Sequence, residues 1–192
     1  MNRCRLVPAI GTSCGLAAVG GATGASRAQV ERAILRAAQE DGESPTHLND
    51  TNFRHQARAL ELLGYGLFDL QGNSIKASTI QPWKMTSGQF GSLPLIKQFV
   101  QANKCADVLL CEAFRPGNPD QGHTFVVDRE WFFDCNTGGL IVLANGIPGS
   151  LNGFRVVRAI ALRPCQAHAS SFSFRKIFTF IGSCVTRTLR RP

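Results

Sequence analysis

Hydrophobic residues recur at helical spacing in two segments of the first half of the chain, 26–42 and 50–64. Each segment opens with residues suited to cap a helix, Ser26 in the first and Asp50 or Thr51 in the second, and each ends in a glycine. The apolar positions are Val30, Ala33, Ile34 and Ala37, and then Phe53, Ala57, Leu60 and Leu63. Because this spacing puts side chains on one face of a helix, the pattern predicts two amphipathic helices that pack on a core.

Two further segments predict shorter helices. Residues 14–19, Cys-Gly-Leu-Ala-Ala-Val, begin a helix of small residues that is expected to weaken at the two glycines that follow. Residues 93–102 show a short helical pattern with a proline in its first turn. The intervening residues 71–92 are polar and contain glycine, so they predict a loop that includes Trp83.

Strand patterns dominate the second half of the chain. Residues 106–114 are mostly apolar and predict a buried strand, whereas 123–127 and 131–133 combine β-branched and aromatic residues on either side of a polar turn and predict a hairpin. Residues 138–163 add one or two strands, and a short strand is expected at 68–70. Since helices come first and strands later, we predict an α+β fold.

Charge is distributed unevenly along a chain of otherwise ordinary composition. The 192 residues are 44% hydrophobic and 18% charged, which is typical of a globular protein and excludes wholesale disorder. All thirteen acidic residues lie at or before Asp134, whereas 155–192 hold eight basic residues and no acidic one, so the net charge of +8 belongs to the C-terminus. We therefore predict one domain over 1–165 and a basic tail over 166–192.

The tail has a pattern of its own. Its apolar residues within 172–192 fall at helical spacing, with arginine and lysine elsewhere around the helix. A basic amphipathic helix suits an anionic membrane surface or a partner groove, and nucleic acid is the other electrostatic option. The alternative is a terminal helix docked on the domain with its charges in solvent.

The cysteines and the N-terminus bear on the cellular compartment. The seven cysteines are odd in number and include no C-x-x-C pair, which favours free thiols in a reducing, cytoplasmic environment, with no metal or cofactor expected. No apolar run approaches the roughly 20 residues that span a bilayer. The first 26 residues loosely resemble a signal peptide, although Pro8 and several glycines interrupt them, and cleavage there would remove Cys14.

One histidine stands at the head of the predicted hairpin. His123 begins the first strand and Asp134 follows the second, so the two are expected to lie side by side across the ladder. A carboxylate beside an imidazole fixes its tautomer and makes it a useful general base, although a strand end and a turn explain the same residues. His47 and His168 show no metal spacing, and His55 is expected on an exposed helix face.

Cys14 is the best candidate for a nucleophile. It begins a predicted helix, where the helix dipole and free N–H groups favour the thiolate and can hold an oxyanion. Gly15 and Ala17 are expected to leave room for a substrate backbone. Cys105 and Cys111 lie next to or within apolar strand residues and are interpreted as buried structural thiols.

Three segments together resemble a known family. They are SCGLAAVGG at 13–21, LNDTNFRHQARALELLGYGLFDL at 48–70 and GHTFVVDREWFFDCNTGG at 122–139. Their order and spacing are similar to those of papain-fold cysteine peptidases, in particular the Josephin-like and bacteriocin-processing branches, over roughly residues 10–140.

The resemblance implies a fold and a chemistry. The fold would be papain-like, with N-terminal helices packed on a C-terminal antiparallel sheet. Cys14 would be the nucleophile, His123 the general base and later acid, and Asp134 the residue that orients the imidazole, with Asn136 as the fallback. The reaction would be cleavage of a peptide or isopeptide bond, with ubiquitin conjugates among the expected substrates.

The sequence departs from the family at the oxyanion hole. Papain-like enzymes carry a glutamine about six residues before the cysteine, where this chain has Pro8 and Ala9. Loss of one such donor costs about a hundred- to a thousandfold in rate, so the Cys14 N–H, helped by Thr12 or Ser13, would have to replace it. The alternative is a catalytically inactive member of the fold, or an unrelated α+β protein, that acts as a binding module through its basic tail.

Overall fold

Helices occupy the first part of the chain and strands dominate the second. The computed structural model describes residues 13–44, 51–81, 90–103, 107–129, 131–135, 141–143 and 146–165. Its helices are α1 (Cys14–Thr23), α2 (Arg27–Glu40), α3 (Phe53–Leu62) and α4 (Ile96–Ala102). Its strands are β1 (Tyr65–Phe68), β2 (Ser74–Ile75), β3 (Val108–Arg115), β4 (Asn118–Asp128), β5 (Trp131–Phe133), β6 (Ile141–Leu143) and β7 (Arg155–Pro164).

The described strands form one antiparallel sheet in the order β2-β1-β7-β3-β4-β5-β6. This confirms the predicted α+β class. The sheet is not built from the C-terminal half alone, because β1 and β2 precede α4 in the chain and extend the sheet beyond β7. Two predicted bounds were wrong: β1 starts before residue 68, and β4 starts at Asn118, because β3 and β4 stay paired up to a tight turn at Gly117, where φ is +81°.

The sheet has an apolar layer on each face. Helices α1, α2 and α3 contribute to the layer on one face, and α4 with the segment before β7 contributes to the layer on the other. Alternation along β3 explains the division, since Leu110 joins the first layer and Leu109 and Cys111 join the second. Helix α1 is buried from Gly15 to Ala22, which explains why its residues are so small.

Helix α1 begins and ends at defined residues. Ser13 caps it by accepting a hydrogen bond from the Leu16 N–H at 3.3 Å, and Gly24 ends it in the left-handed conformation. The expected weakening after residue 19 was wrong, because the helix continues through both glycines to Thr23. Packing overrides helix propensity here: a Cβ on Gly21 would lie 2.3 Å from the ring of Phe133.

Helix α3 begins with a reciprocal cap that buries a histidine. The Asn52 side chain accepts from the His55 N–H at 3.1 Å, and the Asn52 N–H donates to His55 Nδ1 at 3.2 Å. The cap is thus Asn52 rather than Asp50 or Thr51. His55 is fully buried, so the expectation that it lies on an exposed face was wrong: the ring turns back to complete the cap, with Nε2 3.4 Å from Asp41.

Several predicted features lie outside the described residues. These are the segment before Ser13, Asp50, Trp83, the tail over 166–192, and the side chains of His47, Cys105, Asn136 and His168. Within the described part of the chain, no helix is both long and apolar enough to cross a membrane.

The contact between Gly21 and Phe133 leads to a stability prediction. Gly21→Ala gains about 1 kcal/mol of helix propensity, but overpacking of a filled core costs about 1–3 kcal/mol. We expect a lower free energy of unfolding, measured by urea denaturation. In the double variant with Phe133→Leu the two losses should be less than additive, because the shorter side chain relieves the clash. A Gly21→Ala protein as stable as the wild type would contradict this packing.

Candidate active site

Cys14 lies where the N-terminus of α1 meets β4. Its sulfur accepts a hydrogen bond from the Thr124 backbone N–H at 3.4 Å. The side chain of His123, which precedes Thr124 on β4, is close enough to lower the pKa of the thiol. The cysteine is the first residue of α1, so it lies at the positive end of the helix dipole. The fold therefore brings together two residues that are more than a hundred positions apart in the sequence.

His123 is held in place by aromatic rings and by a carboxylate. The imidazole is 7% exposed and lies against Phe125 and Phe154, with ring centroids 6.4 and 6.0 Å away. Its Nε2 is 3.2 Å from Oδ2 of Asp134, an ion-pair contact that falls short of the angle a hydrogen bond requires. Nε2 thus faces Asp134, which leaves Nδ1 as the ring nitrogen available for proton exchange with another group.

Asp134 reaches His123 diagonally rather than from directly across the ladder. Val126 pairs with Phe133, so Asp134 would be opposite Phe125 if the ladder continued. Phe125 and His123 are two residues apart on β4 and share a face, and the diagonal offset leaves the fully buried carboxylate beside the ring. The predicted proximity of His123 and Asp134 is thus present, by a different register than expected.

The contacts shift the pKa values of Cys14 and His123 in opposite directions. Burial raises the pKa of Cys14, but the hydrogen bond to His123, the charge of that ring and the Thr124 N–H outweigh it, so the pKa of Cys14 is lowered. Burial lowers the pKa of His123, but the contacts with Asp134 and Cys14 raise it overall to about 9. Both shifts favour a thiolate beside an imidazolium, which is the reactive form of a catalytic cysteine.

The other described cysteines have different surroundings. Cys111 is fully buried, and burial alone raises its pKa well above the ordinary value, which agrees with its interpretation as a structural thiol. Cys165 is exposed. Cys135 lies next to Asp134, and burial, with the negative charges of Asp134 and Cys14, raises its pKa to about 12.

Two backbone N–H groups at the start of α1 are already bonded. The Leu16 N–H donates to the Ser13 hydroxyl oxygen and the Ala17 N–H to the Ser13 carbonyl. As a cap the Ser13 hydroxyl only accepts, so its O–H can still donate and its role as a helper stays a prediction, while Thr12 lies outside the described residues. The N–H groups of Cys14 and Gly15 are the remaining candidates in the described first turn.

Gln56 is a neighbour of the site that sequence reasoning missed. It lies on α3, is 5% exposed, and its amide nitrogen is 2.2 Å from the position that a Cβ on Gly15 would take. The space expected to admit a substrate at Gly15 is thus filled by Gln56, and Ala17 is buried. No local pattern indicates this contact, because it depends on how α3 packs against α1.

Comparison with known proteins adds no relative. No family model matches the chain, and neither does a curated protein or a solved structure. The resemblance to papain-fold peptidases therefore stays a prediction from the sequence motifs.

The contact with His123 should control the reactivity of Cys14. In His123→Ala the cationic ring and its hydrogen bond are lost, while the burial that raises the pKa of Cys14 stays. We expect the pH profile of Cys14 alkylation by iodoacetamide to move to higher pH, with labelling at pH 7 at least about tenfold slower, the equivalent of one pKa unit.

The labelling is followed residue by residue by peptide mass spectrometry. Cys165→Ser serves as the matched control and should leave the Cys14 profile unchanged. An identical Cys14 profile in the wild type and in His123→Ala would show that the two side chains do not interact.

Proposed function

We propose that the protein is a papain-like cysteine peptidase in which Cys14, His123 and Asp134 form the catalytic triad. The observation that carries the proposal is the continuous chain of contacts from the Cys14 thiol to the His123 ring and from its Nε2 to Asp134 at 3.2 Å. The lowered pKa of Cys14 supports the same assignment.

The contacts support a two-step acyl transfer. The Cys14 thiolate attacks the carbonyl carbon of the scissile bond, and a C–S bond forms as the oxygen takes up negative charge. His123 then gives its Nδ1 proton to the leaving nitrogen, the C–N bond breaks, and a thioester stays on Cys14. Water attacks the thioester, Nδ1 accepts its proton, and the C–S bond breaks to release the acid and the free thiol.

Groups around the proposed triad orient the imidazole and stabilise the oxyanion. Asp134 holds the imidazole so that Nδ1 faces the sulfur, and Phe125 and Phe154 limit rotation of the ring. The Cys14 and Gly15 N–H groups at the start of α1 stabilise the oxyanion, aided by the helix dipole. Without the glutamine typical of the family, this oxyanion hole relies on backbone donors, and we expect a slow enzyme.

The fold is compatible with this assignment. A cysteine at the start of a buried helix, packed against an antiparallel sheet that carries the histidine and the acid, is the arrangement that the resemblance implies. We propose protein or peptide substrates, with ubiquitin conjugates as the class that the Josephin-like segments suggest. The alternative function, binding through the basic tail, depends on residues outside the described part of the chain.

Covalent capture tests this proposal. Intact protein is incubated with a peptidyl epoxide and, separately, with ubiquitin that carries an electrophile at its C-terminus, and adducts are located by mass spectrometry. We expect one adduct on Cys14 that is lost in Cys14→Ala, strongly reduced in His123→Ala and kept in the control Cys165→Ser. Reaction with the epoxide alone would keep the peptidase and remove ubiquitin as its substrate.

The variant Asp134→Asn refines the same test. An amide at position 134 can still contact Nε2 but carries no charge to stabilise the imidazolium, so we expect slower capture with the adduct still on Cys14. The absence of any Cys14 adduct from folded wild-type protein, with both reagents, would contradict the proposal.

A further inference from the structure

His123, Asp134 and Cys135 bring three different ligand types together at the end of β5. One ring nitrogen, one carboxylate oxygen and the Cys135 sulfur all lie within 4.8 Å of one another. His123 and Asp134 are buried and Cys135 is half-buried. Among the residues that the structure describes, this is the group of histidine, cysteine and acidic side chains that is close enough to share a metal ion.

The spacing of these atoms agrees with metal coordination. In a tetrahedral zinc site with bonds of about 2.0–2.3 Å, neighbouring ligand atoms are about 3.3–3.6 Å apart. Nε2 of His123 is 3.2 Å from Oδ2 of Asp134, close to one such edge. The Cys135 sulfur lies within 4.8 Å of both other ligand atoms and would move closer to them on binding.

The position in the fold fixes two of the ligands relative to the third. Asp134 and Cys135 are consecutive residues that follow β5, and β5 pairs with β4, the strand that carries His123. The Phe125 and Phe154 rings lie beside the imidazole. A shift of the Cys135 side chain would close three ligands around one ion.

We propose that His123 Nε2, Asp134 and Cys135 bind a divalent transition metal ion, with Zn²⁺ the best match to this mixed nitrogen, oxygen and sulfur set, and that water completes the coordination. Three protein ligands with one open position are typical of accessible zinc sites rather than of closed structural ones. Cys14 is not a ligand, because its sulfur is not among the three ligand atoms that lie within 4.8 Å of one another.

Binding of the metal ion would release protons from two of its ligands. The Cys135 sulfur and His123 Nε2 each release a proton to solvent as the S–Zn and N–Zn bonds form, while Asp134 supplies an oxygen. The single proton left on the neutral ring is then on Nδ1, and its transfer to the leaving nitrogen would leave an imidazolate, so the ring can no longer act as the acid. If the proposed peptidase activity is correct, on which this consequence rests, the metal switches it off reversibly.

Cobalt substitution tests the site without any need for activity. Co²⁺ is titrated into the full-length, reduced protein, and the visible bands of tetrahedral cobalt and the sulfur-to-cobalt charge-transfer band are followed, with Zn²⁺ added afterwards to displace the cobalt. We expect saturation at one equivalent. The charge-transfer band should disappear in Cys135→Ser and persist in the control Cys165→Ser and in Cys14→Ser.

Each outcome decides the proposal. A band that survives in Cys135→Ser, a band lost in Cys14→Ser, or no binding by the folded wild type would overturn it, with circular dichroism to confirm that each variant is folded. Cobalt binding by a protein whose Cys14 is not captured by electrophiles would keep the metal site and reject the peptidase. Capture of Cys14 by electrophiles in a protein that binds no cobalt would keep the peptidase and reject the metal site.

Discussion

The contact between the N-terminus of α1 and β4 is the interaction on which the site depends. There the Thr124 N–H donates to the Cys14 sulfur at 3.4 Å, and the neighbouring His123 side chain lowers the pKa of the thiol. Strand β4 thus positions the sulfur with a backbone N–H and lowers the pKa of the thiol with a side chain. The contact requires α1 to lie close to the sheet, and the alanines and glycines of the helix allow this close approach. At Gly21 the helix packs directly against the ring of Phe133.

Much of this fold follows from local sequence patterns. The periodicity of α2 and α3 and the β-branched and aromatic residues of the hairpin predict elements that the structure contains, because each pattern reports which face an element buries. The proximity of His123 and Asp134 follows from strand alternation, although the exact register depends on where β5 ends. These inferences need no knowledge of distant contacts.

The errors all come from interactions between distant segments or from caps. Helix α1 continues past Gly20 because burial outweighs propensity, and Gln56 fills the space at Gly15 because α3 packs across α1. His55 is buried because its ring closes a cap with Asn52, although the helix face alone suggests exposure.

Asp134 carries two roles that compete for the same atoms. As a carboxylate beside Nε2 it favours the protonated ring, and with Cys135 it forms part of a ligand set for a metal ion. The proposed orienting acid, Asp134, is followed directly by a half-buried thiol, and this neighbour adds the proposed metal binding to what a Cys-His-Asp triad alone offers. In these proposals the His123 ring exchanges a proton with Cys14, and its Nε2 contacts either the Asp134 carboxylate or the metal ion.

The most direct test of the central contact is the titration of the His123 ring by ¹⁵N NMR in metal-free protein. The ring lies between Asp134 and Cys14, and the account predicts that it stays protonated up to a pKa of about 9. In Cys14→Ser, where no thiolate forms, that pKa should fall. Titration near the ordinary value of about 6.5, unchanged by Cys14→Ser, would contradict the thiolate–imidazolium pair.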